Sequence, residues 1–303
     1  MSICHLNDRA LLSLTGKDSR TFLQGLVSNN VRHVSAEKSL YTALLTPQGK
    51  FLFDFFIIQG PEENTLWLDV AEAQLPDLLK RLKMYKLRSD VTFTQEEALT
   101  VHAAWNAPFS ADAAASKAGT TRQEQGVTLC LDPRHTAMGT RLYGTKEAVE
   151  NWLQHHPQPH ASSQDYNRLR LEQGVPLGGL DVIPDKSLLL EYHFEGLNGV
   201  DFLKGCYVGQ EVTARSKHRA TLRKVLHQVK AESGALPAFG ETVYYGDKPA
   251  GEMLSSQDDI GLALLRVEET TAAAERGELL QSASGTLSFR IPDYALPFWK
   301  AAA

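Results

Sequence analysis

The chain has little cysteine. Only Cys4, Cys130 and Cys206 occur in 303 residues, odd in number and far apart. That excludes a disulfide framework and points to a reducing compartment. No apolar run approaches the ~20 residues a membrane span needs, so no membrane partner is expected. The opening MSICHLNDRALLSLTG lacks a basic stretch leading into an apolar run and a small-residue cleavage site. It is not an Arg-rich amphipathic presequence either. The expectation is a soluble protein of the cytoplasm. Positive charge is not in excess: 31 Lys and Arg against 36 Asp and Glu leave a net charge of −5. A broad nucleic-acid footprint is excluded, though a local basic patch is not, and no direct nucleic-acid binding is expected. Short repeats and low-complexity tracts are absent, as are a G-x-G-x-x-G after a strand, a P-loop and an H-E-x-x-H pair.

What is present suits a globular chain of about two domains, since 43% of residues are hydrophobic. KDSRTFLQGLVSNN (17–30) predicts a short helix capped by Asp18 or Ser19. YTALLTPQGKFLFDFFII predicts a hairpin with Gly49 at the turn. A strand over 65–70 and an amphipathic helix from Leu75 to about Arg88 follow, then strands around 91–105. The span 107–126 reads as a loop. Strands GVTLCLD and TRLYG lead into a helix from about 145 to 154, and another runs from about 163 to 173, up to Gly174-Val-Pro. From about 222, short strands separated by Gly, Asp and Pro turns predict a small antiparallel β domain, barrel-like or jelly-roll-like. The fold class is α+β, with residues 1–221 as an α+β region and 222–303 as the β domain.

Candidate chemistry is sparse. His155, His156 and His160 lie in a proline-broken tract that does not aim three imidazoles together, so no metal is assigned. Cys4 and His5 are adjacent and point to opposite faces of a strand. Cys130 reads as a small buried hydrophobe. Asp54 interrupts the apolar FLFDFFII. It either faces solvent or shares a lined face with Leu52 and Phe56, because burying an unpaired carboxylate is costly. Arg168 and Glu172 stand at i, i+4, the spacing of a surface ion pair. Glu172 meets the unfavourable end of the helix dipole, a mild sign of a further role. In DFLKGCYVGQEVTAR (201–215), Cys206 sits among Lys204, Arg215, Lys217, His218 and Arg219, cations that lower a thiol pKa. His193 and His218 are the nearby candidates for a base. From these residues alone, Cys206 is either a packed turn residue or a reactive thiol.

KGCYVGQE resembles the K-G-C-Y-x-G-Q-E signature of the YgfZ-type folate-binding proteins of iron–sulfur cluster maintenance. These are relatives of the T protein of glycine cleavage, a folate-dependent aminomethyltransferase. LTGKDSRTFLQGLVSNNV, LLTPQGKFLFDFFI, LRLEQGVPLGGLD, PAGEMLSSQ with IGLALLRV, and IPDYALP are similar to further family segments, so the resemblance covers nearly the whole chain. It implies a T-protein-like folate-binding fold, with two subdomains around a central cleft before the C-terminal barrel. Tetrahydrofolate or a derivative is the implied cofactor. Asp54 and Glu172 match acidic positions suited to a pterin, and Arg88, Lys204 or Arg215 would supply a cation for the glutamate tail. Lys204, Gly205, Cys206, Tyr207, Gly209, Gln210 and Glu211 form the signature loop, with Gly205 and Gly209 keeping the thiol accessible. T proteins lack this signature. The implied role is therefore an accessory factor for cluster assembly or repair, supporting cluster-dependent enzymes including tRNA-thiolating ones. Its partners would be assembly machinery or client enzymes. The alternative is a folate-dependent one-carbon transferase; turnover itself is not implied. A cluster normally takes four protein ligands, so one cysteine implies a transient thiol that exchanges or bridges with a partner. Ala220 departs from the family, where many relatives carry glycine.

Overall fold

Aliphatic and aromatic runs in the first half of the chain become strands β1 (Ser2–His5), β2 (Arg9–Thr15), β3 (Leu40–Leu45), β4 (Phe51–Gln59) and β5 (Leu66–Ala71). They continue as β6 (Thr92–Gln95), β7 (Leu99–Trp105), β8 (Thr121–Glu124), β9 (Val127–Leu131) and β10 (Thr140–Thr145). The computed structural model describes residues 2–106, 117–218 and 222–298. Arg219, Ala220 and the 107–116 part of the expected loop lie outside the described residues. The chain groups into two compact units. Met1–Leu45, Phe53–Tyr166 and Asn198–Val208 form the first, and Thr46–Leu52, Asn167–Leu197 and Gly209–Ala303 the second.

Two five-stranded sheets build the first unit, in the orders β3-β4-β5-β2-β6 and β1-β7-β10-β9-β8. β4 is buried from Phe51 to Ile58, without the alternation of a half-exposed strand, because its sheet is covered on both faces. The helices here are α1 (Ser19–Gln24), α2 (Leu75–Lys86) and α3 (Lys146–His155). On β9, β10 and α3, Val127, Leu129, Leu142, Val149 and Trp152 form one apolar cluster. Three details differ from the expectation. α1 stops at Gln24, because the following carbonyls and short polar side chains bond elsewhere. Asp18 does not cap α1: its carboxylate accepts from the Asp90 N–H at 2.8 Å. Thr121–Glu124, read as loop, pairs with β9 as a short edge strand.

The second unit carries α4 (Ser163–Glu172) from Asn167 onward, α5 (Gln210–His218) and α6 (Val267–Arg276). Its strands are β11 (Lys224–Gly234), β12 (Thr242–Tyr245), β13 (Lys248–Gln257), β14 (Ile260–Arg266), β15 (Leu280–Ser282) and β16 (Gly285–Arg290). They close as a barrel in the order β11-β14-β13-β12-β15-β16. Val229, Val243, Met253, Ala263, Leu265 and Leu287 fill it, with Ala273 of α6 packed among them. A reading in strands and turns alone passed over α6. Its acidic first turn, alanine run and left-handed Gly277 are helix signals all the same. The hairpin turn at Gly49 also belongs to this unit. Its φ is +75°, and a Cβ there would meet the Val212 Cβ of α5 at 2.6 Å, so only glycine fits.

Candidate functional site

The segment after α1, QGLVSNN, forms a cradle. Ser28 and Asn29 are buried polar residues, and both direct side chains at the backbone before the signature loop. Ser28 Oγ donates to the Gly199 carbonyl at 2.6 Å, and Asn29 Nδ2 to the Asn198 carbonyl at 2.7 Å. In return the Asp201 N–H donates to the Ser28 carbonyl at 3.1 Å. Lys204 then places its ammonium on the carbonyls of Gln24, Val27 and Asn29 at 2.9, 2.5 and 2.8 Å. Past Cys206, the Val208 N–H returns to the Gly25 carbonyl at 3.3 Å. Residues 198–208 are thus fastened to 24–30 on both sides of the thiol.

Cys206 is exposed, whereas Cys4 and Cys130 are buried. Burial pushes the Cys4 thiol up to about 11 and the Cys130 thiol up to about 12, which keeps both protonated and inert. Leu203 is 97% exposed, and its N–H is turned back onto the Asp201 carboxylate at 2.7 Å. Gly205 has open space around the position of a Cβ, while Gly209 takes φ +81°. Lys204 also lies 5.0 Å from the centre of the Tyr207 ring. The arrangement offers an accessible soft ligand or nucleophile on a fixed loop.

Asp54 is buried, not solvent-facing, and accepts from Tyr41 Oη at 2.6 Å. Burial and the Asp54 carboxylate raise the Tyr41 phenol well above its usual range. Tyr41 also packs on Phe56, ring centres 5.3 Å apart, so Asp54 and Phe56 share the face that alternation places them on. Tyr41 bonds Oδ2, and among the described residues Oδ1 of Asp54 has no hydrogen bond, which fits the N–H donors of a pterin.

The other expected residues stand in different surroundings. Arg88 is exposed in the turn after α2, without an ion pair among the described residues. Glu172, His193, Gln210, Glu211 and Arg215 belong to the second unit. Glu172 is half-exposed and paired with Arg168 at 3.0 Å, and Arg168 also reaches Asp258 and Asp259, each at 3.1 Å. Arg215 pairs with Glu211 at 2.7 Å on exposed turns of α5. Gln210 and Glu211 open that helix after Gly209. His193 is buried against the Leu226 carbonyl at 2.9 Å and lowered to about 4 by that burial, so it is not an available base. His155 and His156 lie 3.0 and 3.1 Å from the Asn151 and Trp152 carbonyls. Among the described residues no group of His, Cys, Asp and Glu is placed to hold a metal.

Sequence reasoning missed the cradle and a buried ionic lattice. Asp69 on β5 accepts from Arg9 at 2.6 Å, from Arg141 at 2.6 and 2.9 Å and from Tyr143 at 3.0 Å. Asp132 binds Arg134 at 2.8 and 3.1 Å. Burial alone would raise both carboxyls, but Arg141 and Arg9 at Asp69, and Arg134 at Asp132, outweigh it and hold them below the usual range. The guanidinium groups of Arg9, Arg134 and Arg141 lie 5.7, 4.9 and 4.2 Å from the centre of the Phe56 ring. Asp69 interrupts LWLDV as Asp54 interrupts FLFDFFII, and that signal was available in the sequence.

Residues 223–296 match the family described as CAF17, C-terminal beta-barrel domain. The chain is 34% identical to iron–sulfur cluster assembly factor IBA57, mitochondrial, of Mus musculus, covering 87% of this chain and 77% of that protein. It is 31% identical to the IBA57 homolog of Aspergillus fumigatus, covering 90% and 72%. Among solved structures it is similar to glycine cleavage system aminomethyltransferase T from Bartonella henselae. The TM-score is 0.76 over 99% of this chain and 86% of that one, at 14% identity. The T-protein-like fold is the one expected. The cytoplasmic expectation is overturned, because these relatives are named as mitochondrial proteins. Sixteen N-terminal residues do not decide the compartment.

Proposed function

The chain belongs to the family of the IBA57 iron–sulfur cluster assembly factors, and from that membership we propose a folate-binding accessory role of YgfZ type. The protein supports assembly or repair of clusters in client enzymes, tRNA-thiolating ones included. Cys206 is its working thiol. The observation that carries this reading is Cys206 itself, exposed on a loop fastened at 198–201 and at 204 and 208, while the two other thiols are buried. A lone cysteine supplies one of the four protein ligands a cluster normally takes, so it acts in passing, bridging to or exchanging with groups on a partner. Leu203, almost fully exposed beside it, supplies apolar surface for that encounter.

Tetrahydrofolate or a derivative is the proposed cofactor. Asp54 would accept from the pterin N–H groups through the oxygen that Tyr41 leaves unbonded. When bound, the folate would supply one-carbon chemistry at N5 of its pterin and the neighbouring N10. The chain's own part is to orient the ring with Asp54 and hold that carboxylate with Tyr41. A one-carbon transferase is the second reading, and the same Asp54 geometry favours it.

Replacing Cys206 with Ala in cells that lack the native protein tests the first reading. The expected result is loss of cluster-dependent enzyme activity with fold and folate binding unchanged. Normal activity of those enzymes would sink it. Turnover of tetrahydrofolate with an aminomethyl donor by the same variant would favour the transferase.

A further inference from the structure

We infer that Lys204 is the positioning residue of the Cys206 loop. Its ammonium, seated on the carbonyls of Gln24, Val27 and Asn29, fixes the conformation that presents the thiol. This rests on the reading of Cys206 above. It also removes Lys204 from the cations available to a folate tail, which leaves Arg88 and Arg215.

The geometry is that of a staple. An ammonium has three N–H donors and no acceptor, and here each donor has one carbonyl, at 2.9, 2.5 and 2.8 Å. Lys204 makes no ion pair among the described residues, so charge pairing does not account for its placement. The carbonyl of Gln24 closes α1, and the negative end of a helix favours a cation. Gly205 imposes nothing: it lies outside the left-handed region and a Cβ there would meet open space. The loop's shape around Cys206 therefore comes from its two anchors, Lys204 before the thiol and Val208 after it.

Protonation is linked to the staple, because the seated ammonium has given up most of its water, and a neutral amine with its two N–H groups bears that loss at less cost. Burial lowers the Lys204 pKa to about 8, against the opposing pull of Asp201. The other group facing it is the Tyr207 ring, and the 24–30 segment turns only carbonyls to it.

Hydrogen exchange on the full-length protein tests this without a ligand. The seated amine titrates at about 8 and a released one at its higher ordinary value, so the closed loop gains stability as pH rises from about 8. The Asp201 and Val208 amides should therefore gain protection there once the intrinsic rise in exchange is removed, while amides of the barrel strands stay unchanged. Lys204→Met should speed exchange at both amides by roughly ten-fold or more at every pH. Lys204→Arg keeps its charge at all these pH values, and should hold protection flat across the range where the wild type gains it. A wild-type profile with no step near pH 8, or a Lys204→Met protein with unchanged exchange, overturns the inference; the first needs no variant to fold. The function reading stands or falls separately, on Cys206→Ala in cells.

Discussion

Asp69 and Arg141 meet through two hydrogen bonds, from Nε at 2.9 Å and Nη2 at 2.6 Å, with both side chains shut off from solvent. They join β5 of one sheet to β10 of the other within the first unit. Removing one partner from such a pair leaves a buried charge, which costs about 3–5 kcal/mol. Asp69→Asn should lower unfolding free energy by that order, since Arg9 loses its counter-charge and Arg141 keeps only Asp132, at 3.8 Å. A double change to Asp69→Leu and Arg141→Met should recover part of the loss, and urea unfolding of the three proteins decides it. The pH sign follows from the lowered carboxyl. The pair's contribution is complete above the usual carboxylate pKa and fades as pH falls toward the folded value.

Much of this fold is legible from short-range signals, and the candidate site much less so. The Gly49 turn and the helix stop at Gly174 follow from local backbone chemistry, and the barrel strands from their turns. The cradle is long-range: nothing near Ser28 announces that its carbonyl and hydroxyl serve residues some 170 positions away. SNN alone says only that short polar side chains compete with helical bonding. Asp69 was a missed opportunity, because the cost argument applied to Asp54 holds equally for it. Lys204 illustrates the other limit. Its charge suggested an anionic ligand, and only the three carbonyl distances show where the charge is spent.

Thiol counting gives a direct check on the exposure of Cys206. The native protein should react quickly at one thiol per chain with a neutral alkylating reagent, and at three after denaturation. Cys206→Ala should abolish the fast phase and leave the other two thiols slow. A fast phase that persists in the variant would mean that Cys4 or Cys130 opens readily.

Acid should weaken the second unit through two imidazoles. His193 and His227 are each lowered to about 4 by burial, and His193 adds to the lowering at His227. The unfolded chain takes up protons below about pH 6.5, where the fold resists them, so stability falls with pH from about 6.5 to about 4. The loss is up to about 3 kcal/mol per imidazole. His227→Gln should flatten part of that fall in urea titrations between about pH 7 and about pH 4.5. A wild-type stability that does not fall across this window would refute the assignment.

Asp54 separates a folate site from a purely structural carboxylate. Asp54→Ala would remove the carboxylate that accepts from the buried Tyr41 hydroxyl, at a cost of about 1–3 kcal/mol, and confuse lost binding with lost fold. Asp54→Asn is the cleaner change. Its amide oxygen still accepts from Tyr41 Oη, but it removes the charge and gives an NH2 to at most one of the positions that now accept. If Asp54 holds the pterin, calorimetric titration with tetrahydrofolate should show an affinity at least ~10-fold weaker in the Asn variant, in line with loss of a charge-assisted hydrogen bond. Thermal unfolding of the variant without ligand should stay close to wild type. Unchanged affinity would remove Asp54 from the site, and absence of binding by the wild type would remove folate from the proposal altogether. Binding that weakens while Cys206→Ala binds normally would place cofactor and thiol in separate functions of one chain.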